Sequence, residues 1–333
     1  MKIGIVTQPL LNNYGGTLQN YALQTTLKYM GHHPITIDFI PKPSLFMYVL
    51  SCLKTIFFFF IPRKRRMFQS IPKRKNSNKE FEVFTSKYIT TTRVVDHYLS
   101  SLISDYQLDA VIVGSDQVWR PLYNPFLKDS FLMFTQKHNV KRIAYAASFG
   151  VDKWEFSLKE TIACKECLKM FDGISVREHS GIKLCKEYLD VDAIEVLDPT
   201  LLLSKNEYLN LTSNIPVCKE KYLAAYILDR TEEKFIEIQQ IAKTIGLTVK
   251  EFSASKDATL SVPEWLAMFR DASYVVTDSF HGTVFSIIFE KEFKCIYNKE
   301  RGTSRFESLL QNYQNNTFAT KRELSLRFLK EHL

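Results

Sequence analysis

Short apolar runs alternate along this chain with longer stretches whose apolar positions recur at helical spacing. Residues 2–7, 34–39, 110–113, 141–147 and 173–176 are compact, β-branched or aromatic, and end in small or polar residues. That pattern predicts buried strands running into loops. Residues 195–197 close the series ahead of Asp198-Pro199-Thr200. A second series, 222–228, 248–252, 272–276 and 293–297, follows a crossing near 204–219. Helical patterns at 17–24, 79–88, 231–245, 263–269, 284–289 and 305–311 separate the strands. Strands that alternate with helices imply parallel sheets, whose functional loops gather at the carboxyl edge. The expected organisation is an N-terminal α/β domain over 1–205, with an insertion at 45–79, and a C-terminal α/β domain over 206–333. Ligands favour the cleft between two such units.

The insertion changes the picture of charge. Residues 45–61 are almost wholly apolar but for Lys54, and Arg63, Lys64, Arg65, Arg66, Lys73, Arg74, Lys75 and Lys79 follow with no acid among them. This run alone matches the net charge of +8, so the surplus is local and the chain is not built to wrap nucleic acid. The apolar part is short for a membrane span and carries a charge near its middle. Two readings stay open: an interfacial helix laid on an anionic membrane, and a helix packed on the body or on a second copy in a homo-oligomer. The six cysteines are scattered, which fits a reducing cytoplasm and excludes a small disulfide scaffold. Cys164 and Cys167 lack further ligands at metal-site spacing, so no metal is expected. Met1 leads directly into a strand with no export signal. A cytoplasmic protein, peripheral on the inner face of the cell membrane, is the expectation.

Candidate chemistry clusters at the strand ends. Residues 272–276 lead into Thr277-Asp278-Ser279-Phe280-His281-Gly282-Thr283 and then an apolar helix. A histidine at such a helix start is placed for proton transfer, or merely caps the helix. Asn12-Asn13-Tyr14-Gly15-Gly16 follows the first strand but lacks the glycine spacing of dinucleotide sites and the lysine of P-loops. On a parallel sheet, Asp116, Gln117, Arg177 and Asp198 would face one cleft.

Taken in order, these strand ends resemble the polysaccharide pyruvyl transferase family. The matching pieces are Asn12-Asn13-Tyr14-Gly15-Gly16-Thr17-Leu18-Gln19, Val113-Gly114-Ser115-Asp116-Gln117-Val118-Trp119, Ala144-Tyr145-Ala146-Ala147-Ser148-Phe149-Gly150, Ser175-Val176-Arg177-Glu178, Leu197-Asp198-Pro199-Thr200 and Asp278-Ser279-Phe280-His281-Gly282. The resemblance implies two Rossmann-like domains facing a cleft, GT-B-like. It also implies transfer of the enolpyruvyl unit of phosphoenolpyruvate onto a sugar as a cyclic ketal, with phosphoenolpyruvate as co-substrate and no cofactor. Several members carry arginine two positions before the histidine, where this chain has Ser279. Arg177, Arg301 or Arg305 would then supply the missing charge.

Such chemistry asks for a proton donor, an acceptor for hydroxyl protons, and cations or N–H groups for carboxylate and phosphate. His281 and Asp116 are the catalytic candidates. Arg177, Ser279, Gly282, Thr283, Arg301 and Arg305 are the donor-binding ones, and Asn13, Tyr14, Gly15, Gln117 and Trp119 the acceptor-binding ones. Rivals remain for each: Asp116 as a helix cap, Arg177 as a structural partner of Glu178 or Asp198, Trp119 as core. The expected acceptor is a galactose-like hexose, on a lipid-linked saccharide if 45–79 lies on the membrane. Two other functions fit the same cleft, a glycosyltransferase using a nucleotide sugar and a non-catalytic assembly factor.

Overall fold

A computed structural model of the chain describes residues 1–40, 79–124, 126–253, 260–296 and 303–333. β1 (Lys2–Val6), β2 (His33–Thr36), β3 (Ala110–Val113), β4 (Lys141–Ala147), β5 (Gly173–Val176) and β6 (Ile194–Glu195) form one sheet in the order β2-β1-β3-β4-β5-β6. A second sheet takes β7 (Tyr222–Tyr226), β8 (Thr248–Phe252), β9 (Tyr274–Thr277) and β10 (Glu292–Cys295) in the order β10-β9-β7-β8. Every pairing in both is parallel. Parallel strands are covered on both faces, which is why β3 and β7 are buried along their whole length and read as unbroken apolar runs. The α/β class of two Rossmann-like sheets, GT-B-like, is therefore the one the sequence predicts.

In each sheet the strand order reverses once, between β1 and β3 and between β7 and β9. Such reversal points open a crevice at the carboxyl ends, where ligands bind in open α/β sheets. The described α-helices are α1 (Tyr14–Tyr29), α2 (Lys79–Tyr88), α3 (Ser101–Tyr106), α4 (Leu158–Leu168), α5 (His179–Leu184), α6 (Lys205–Leu211), α7 (Glu232–Ile245), α8 (Val262–Arg270), α9 (Phe280–Ile288), α10 (Ser304–Gln314) and α11 (Phe318–His332).

Helices α1 and α11 are among those that join the units. One face of α1 puts Leu23 and Leu27 into the core of the first sheet beside Ile5 and Ile112. The opposite face puts Tyr14, Leu18 and Ala22 into the core that holds Trp265, Tyr226 and Phe285. The ring of Tyr14 stacks on Trp265 with centroids 5.1 Å apart, and its hydroxyl donates to the Leu260 carbonyl at 2.7 Å. Helix α11, absent from the helical patterns read in the sequence, returns to the first sheet. Its Phe328 and Leu329 pack with Tyr145, and Ser325 Oγ accepts the Leu197 amide at 3.0 Å. The sequence pattern assigned all of 206–333 to the second unit, but this last helix lies on the first.

The apolar and basic insertion expected at 45–79 lies outside the described residues except for Lys79, which opens α2. Among the described residues no helix is long and apolar enough to cross a membrane, and no group of His, Cys, Asp or Glu is arranged to hold a metal ion.

Candidate active site

The carboxyl edge of the first sheet carries a buried ionic cluster centred on Asp198. This residue follows β6 and precedes Pro199, and its side chain is fully buried. Its Oδ2 accepts from Ser115 Oγ at 2.9 Å and from Arg177 Nη1 at 2.9 Å, while its Oδ1 accepts from the Thr200 amide and hydroxyl at 3.0 and 2.7 Å. Burial acts to raise its pKa, but His281, Arg177 and Thr200 together outweigh it and hold the carboxyl far below the usual range. Asp198 is therefore a fixed anion.

Arg177 leaves β5 and enters the same cluster, 2% exposed at its side chain. Its Nη2 is 3.6 Å from Asp116 Oδ1, and neither Nε nor Nη2 has a hydrogen-bond partner. Buried donors without partners are costly, and these two face the Asp116 and Glu178 carboxylates only at 3.6 and 4.0 Å. Arg177 Cζ lies 4.4 Å from the centroid of Phe280, and Arg305 Cζ lies 5.8 Å from the same ring. Burial, with Arg177 close by, lowers the Arg305 pKa to about 10. Two cations so close under low exposure suit a ligand carrying more than one negative charge.

Asp116 caps no helix. It sits in a turn after β3 at φ +75°, its Oδ1 accepting the Gln117 amide at 2.8 Å and its Oδ2 lying 3.5 Å from Asn13 Nδ2. Its carbonyl accepts the Ser148 amide at 3.1 Å, which ties this turn to the end of β4. Ala146, near that junction, is also left-handed at φ +51°. Two non-glycine residues in this region at one sheet edge mark local strain of the sort found at functional sites.

The second sheet contributes His281. Strand β9 ends in Thr277, Asp278 turns the chain, and Ser279 caps α9. The ring of His281 is nearly buried, with Nε2 3.6 Å from Asp198 Oδ2 and without a hydrogen-bond partner. Its other side rests against Gly15 at the start of α1. A Cβ built on Gly15 would lie 2.0 Å from His281 Nδ1, so only glycine lets the two edges meet there.

The expected donor and acceptor sets are redistributed. Arg177 and Arg305 reach the cluster, and Arg301 lies outside the described residues. The amides of Gly282 and Thr283, expected to hold phosphate, are taken by Ser279, whose Oγ and carbonyl accept them at 3.3 and 3.0 Å. Ser279 thus caps the helix through its side chain. Among the acceptor candidates, Asn13, Gly15 and Gln117 lie at the cluster. Asn13 also caps α1 through Gly16 at 3.0 Å, and Gln117 Oε1 accepts from Arg120 at 3.1 Å. Tyr14 does not line the cleft, because it pins α1 to the second unit. Trp119 does not either: it is fully buried, stacked on Phe131 at 4.7 Å and donating to the Ser130 carbonyl. The sequence reading placed Asp198 at the cleft without a role, and missed that Ser115 and Thr200 hold it. The Asp-Pro-Thr turn after a strand was the available signal.

Fold and site together define a two-unit α/β protein with a buried acid, arginine and histidine cluster where its two sheets meet. The chain belongs to the polysaccharide pyruvyl transferase family, whose model matches residues 13–300. No curated protein matches it. Among solved structures, UDP-GlcNAc 2-epimerase from Methanocaldococcus jannaschii is similar at 11% identity over 92% of each chain, with a TM-score of 0.47. The heptosyltransferase WaaC from E. coli, solved with ADP, is similar at 12% identity over 97% of this chain and 100% of its own, with a TM-score of 0.42.

Proposed function

We propose that this pyruvyl transferase takes the enolpyruvyl group from phosphoenolpyruvate and sets it on a galactose-like hexose as a cyclic ketal, during assembly of a surface polysaccharide on a lipid-linked saccharide. The observation that carries the reading is the pair of buried polar groups with unpartnered atoms beside Asp198 Oδ2, the Arg177 guanidinium and His281 Nε2. In the proposed reaction a proton passes from His281 to the methylene carbon, and positive character develops at the carbon bearing the phosphate. A sugar hydroxyl attacks that carbon, the bond to the phosphate oxygen breaks, and a second hydroxyl closes the ring. Of the two hydroxyl protons released, one balances the proton given to the methylene carbon and the other leaves on phosphate. Arg177 and Arg305 hold the carboxylate and phosphate. Asp116 receives a hydroxyl proton, and Asp198 sets a fixed negative charge 3.6 Å from the imidazole Nε2.

No metal enters this scheme. Thermal unfolding with added ligands tests the donor. Phosphoenolpyruvate at a hundred times its Kd should stabilise the protein by ~2.7 kcal/mol. Stabilisation by UDP and none by phosphoenolpyruvate would replace this reading with nucleotide-sugar transfer.

A further inference from the structure

The first sheet's reversal point holds a cavity that the ionic cluster does not use. It opens at the carboxyl end of β1, measures about 520 Å³ with its mouth included, and is walled by Thr7, Gln8, Phe39, Tyr98, Tyr123 and Phe126 among others. Among the described residues no Asp, Glu, Lys or Arg lines it. An anion such as phosphoenolpyruvate or a nucleotide diphosphate would find no counter-charge in that wall, whereas a neutral ligand would incur no penalty there. We infer that this cavity seats the acceptor sugar, with Tyr123 as its aromatic platform.

Three observations support the assignment. The aromatic wall is rigid: Phe39 lies 4.6 Å from Tyr98 and 4.9 Å from Phe126 between centroids, and Tyr98 lies 5.3 Å from Phe134. Rigid rings offer a contact surface at low entropic cost. Tyr123 is 46% exposed, yet it is held in place by Arg120, whose Cζ is 4.6 Å from its ring centroid. Arg120 is itself fixed by two 3.1 Å bonds to Glu155 and one to Gln117. An exposed ring braced from behind is suited to the apolar face of a pyranose, while phenol and amide groups suit its hydroxyls. The cavity is also tied to the reacting groups, because Gln8 Nε2 donates to the Gln117 carbonyl at 3.3 Å and Gln117 adjoins Asp116. A sugar seated there would lie one residue's reach from Asp116.

The inference rests on the pyruvyl-transfer reading only in taking the acceptor to be a saccharide. The test uses the full chain, with Tyr123→Ala and Gln8→Ala beside wild type. Methyl β-D-galactopyranoside is the acceptor probe and phosphate release is followed. Tyr123→Ala should raise the KM for the galactoside about tenfold and leave the KM for phosphoenolpyruvate and the thermal midpoint unchanged. A galactoside KM unchanged in both variants overturns the assignment while leaving pyruvyl transfer in place. If wild type releases no phosphate with any saccharide, pyruvyl transfer fails and saturation-transfer NMR decides the cavity independently. Transfer to the galactoside that is lost in Tyr123→Ala sustains the inference, and equal transfer in both proteins, or none to wild type, overturns it.

Discussion

The two sheets share one parallel, singly reversed topology, yet their carboxyl edges are built for different tasks. The first edge buries its charge: Asp198, Glu178 and Arg177 side chains are at most 2% exposed, Asp198 and Glu178 Oε1 accept hydrogen bonds from their neighbours, and Arg177 Nε and Nη2 are left without hydrogen-bond partners. The second edge spends its charge on its own backbone. Asp278 accepts the Leu228 and Asp229 amides at 2.6 and 3.0 Å and pairs with Lys234, and Ser279 caps the helix. From that edge His281 crosses to lie against Gly15 and Asp198 of the first, and Phe280 lies 4.4 Å from the Arg177 guanidinium. The buried charge cluster and the histidine come from different sheets, so they come together only where the two meet. Like topologies need not carry like functions, because the chemistry resides in the loops.

Breaking the first edge should cost most. Asp198→Ala takes from buried Arg177 its hydrogen-bonded carboxylate, which should lower stability by ~3–5 kcal/mol in urea titration. Asp278→Ala at the second edge leaves backbone amides that water can reach more easily, with an expected loss of ~1–3 kcal/mol. Equal losses would erase the contrast between the edges. Next, Gly15→Ala drives a Cβ into the imidazole and should reduce turnover ~100-fold by misplacing it. Turnover like wild type would mean that the first edge does not hold the ring. Ser279→Ala removes a cap and should cost ~1 kcal/mol, with the KM for phosphoenolpyruvate unchanged. A raised KM there would return Ser279 to the donor site.

A further expected effect concerns pH. Burial raises the Asp129 carboxyl from 3.8 to about 6, so the folded chain binds this proton more tightly than the unfolded one. Its contribution to stability is present below about pH 4, is lost as pH rises through about 6, and is flat beyond that. Thermal midpoints of Asp129→Asn and wild type should accordingly diverge across that window and run parallel above it.

Much of the framework was legible because buried parallel strands leave unbroken apolar runs, as at 110–113 and 222–226. Loop residues at strand ends, His281 and Arg177 above all, could be placed together by topology alone. Aromatic residues beside those loops could not be sorted. Tyr14 and Trp119 sit next to cleft residues in sequence, but helix and turn geometry direct both rings into cores. Tyr123 and Tyr98 come from an irregular stretch with no periodicity to orient them. Helix α11 escaped notice because it buries little of itself, chiefly Ser325, Phe328 and Leu329, within a charged pattern. The capping of α9 by Ser279 was invisible for another reason: a serine before a histidine reads equally as ligand or cap until the amide partners are known.

The most direct test follows phosphate release from phosphoenolpyruvate with a panel of free and lipid-linked hexosides, comparing wild type with His281→Ala. The account predicts release that requires both a particular hexoside and His281, falling ~10²–10⁴-fold in the variant. Undiminished release from His281→Ala would contradict the claim that the second sheet supplies the proton carrier to the charge cluster of the first.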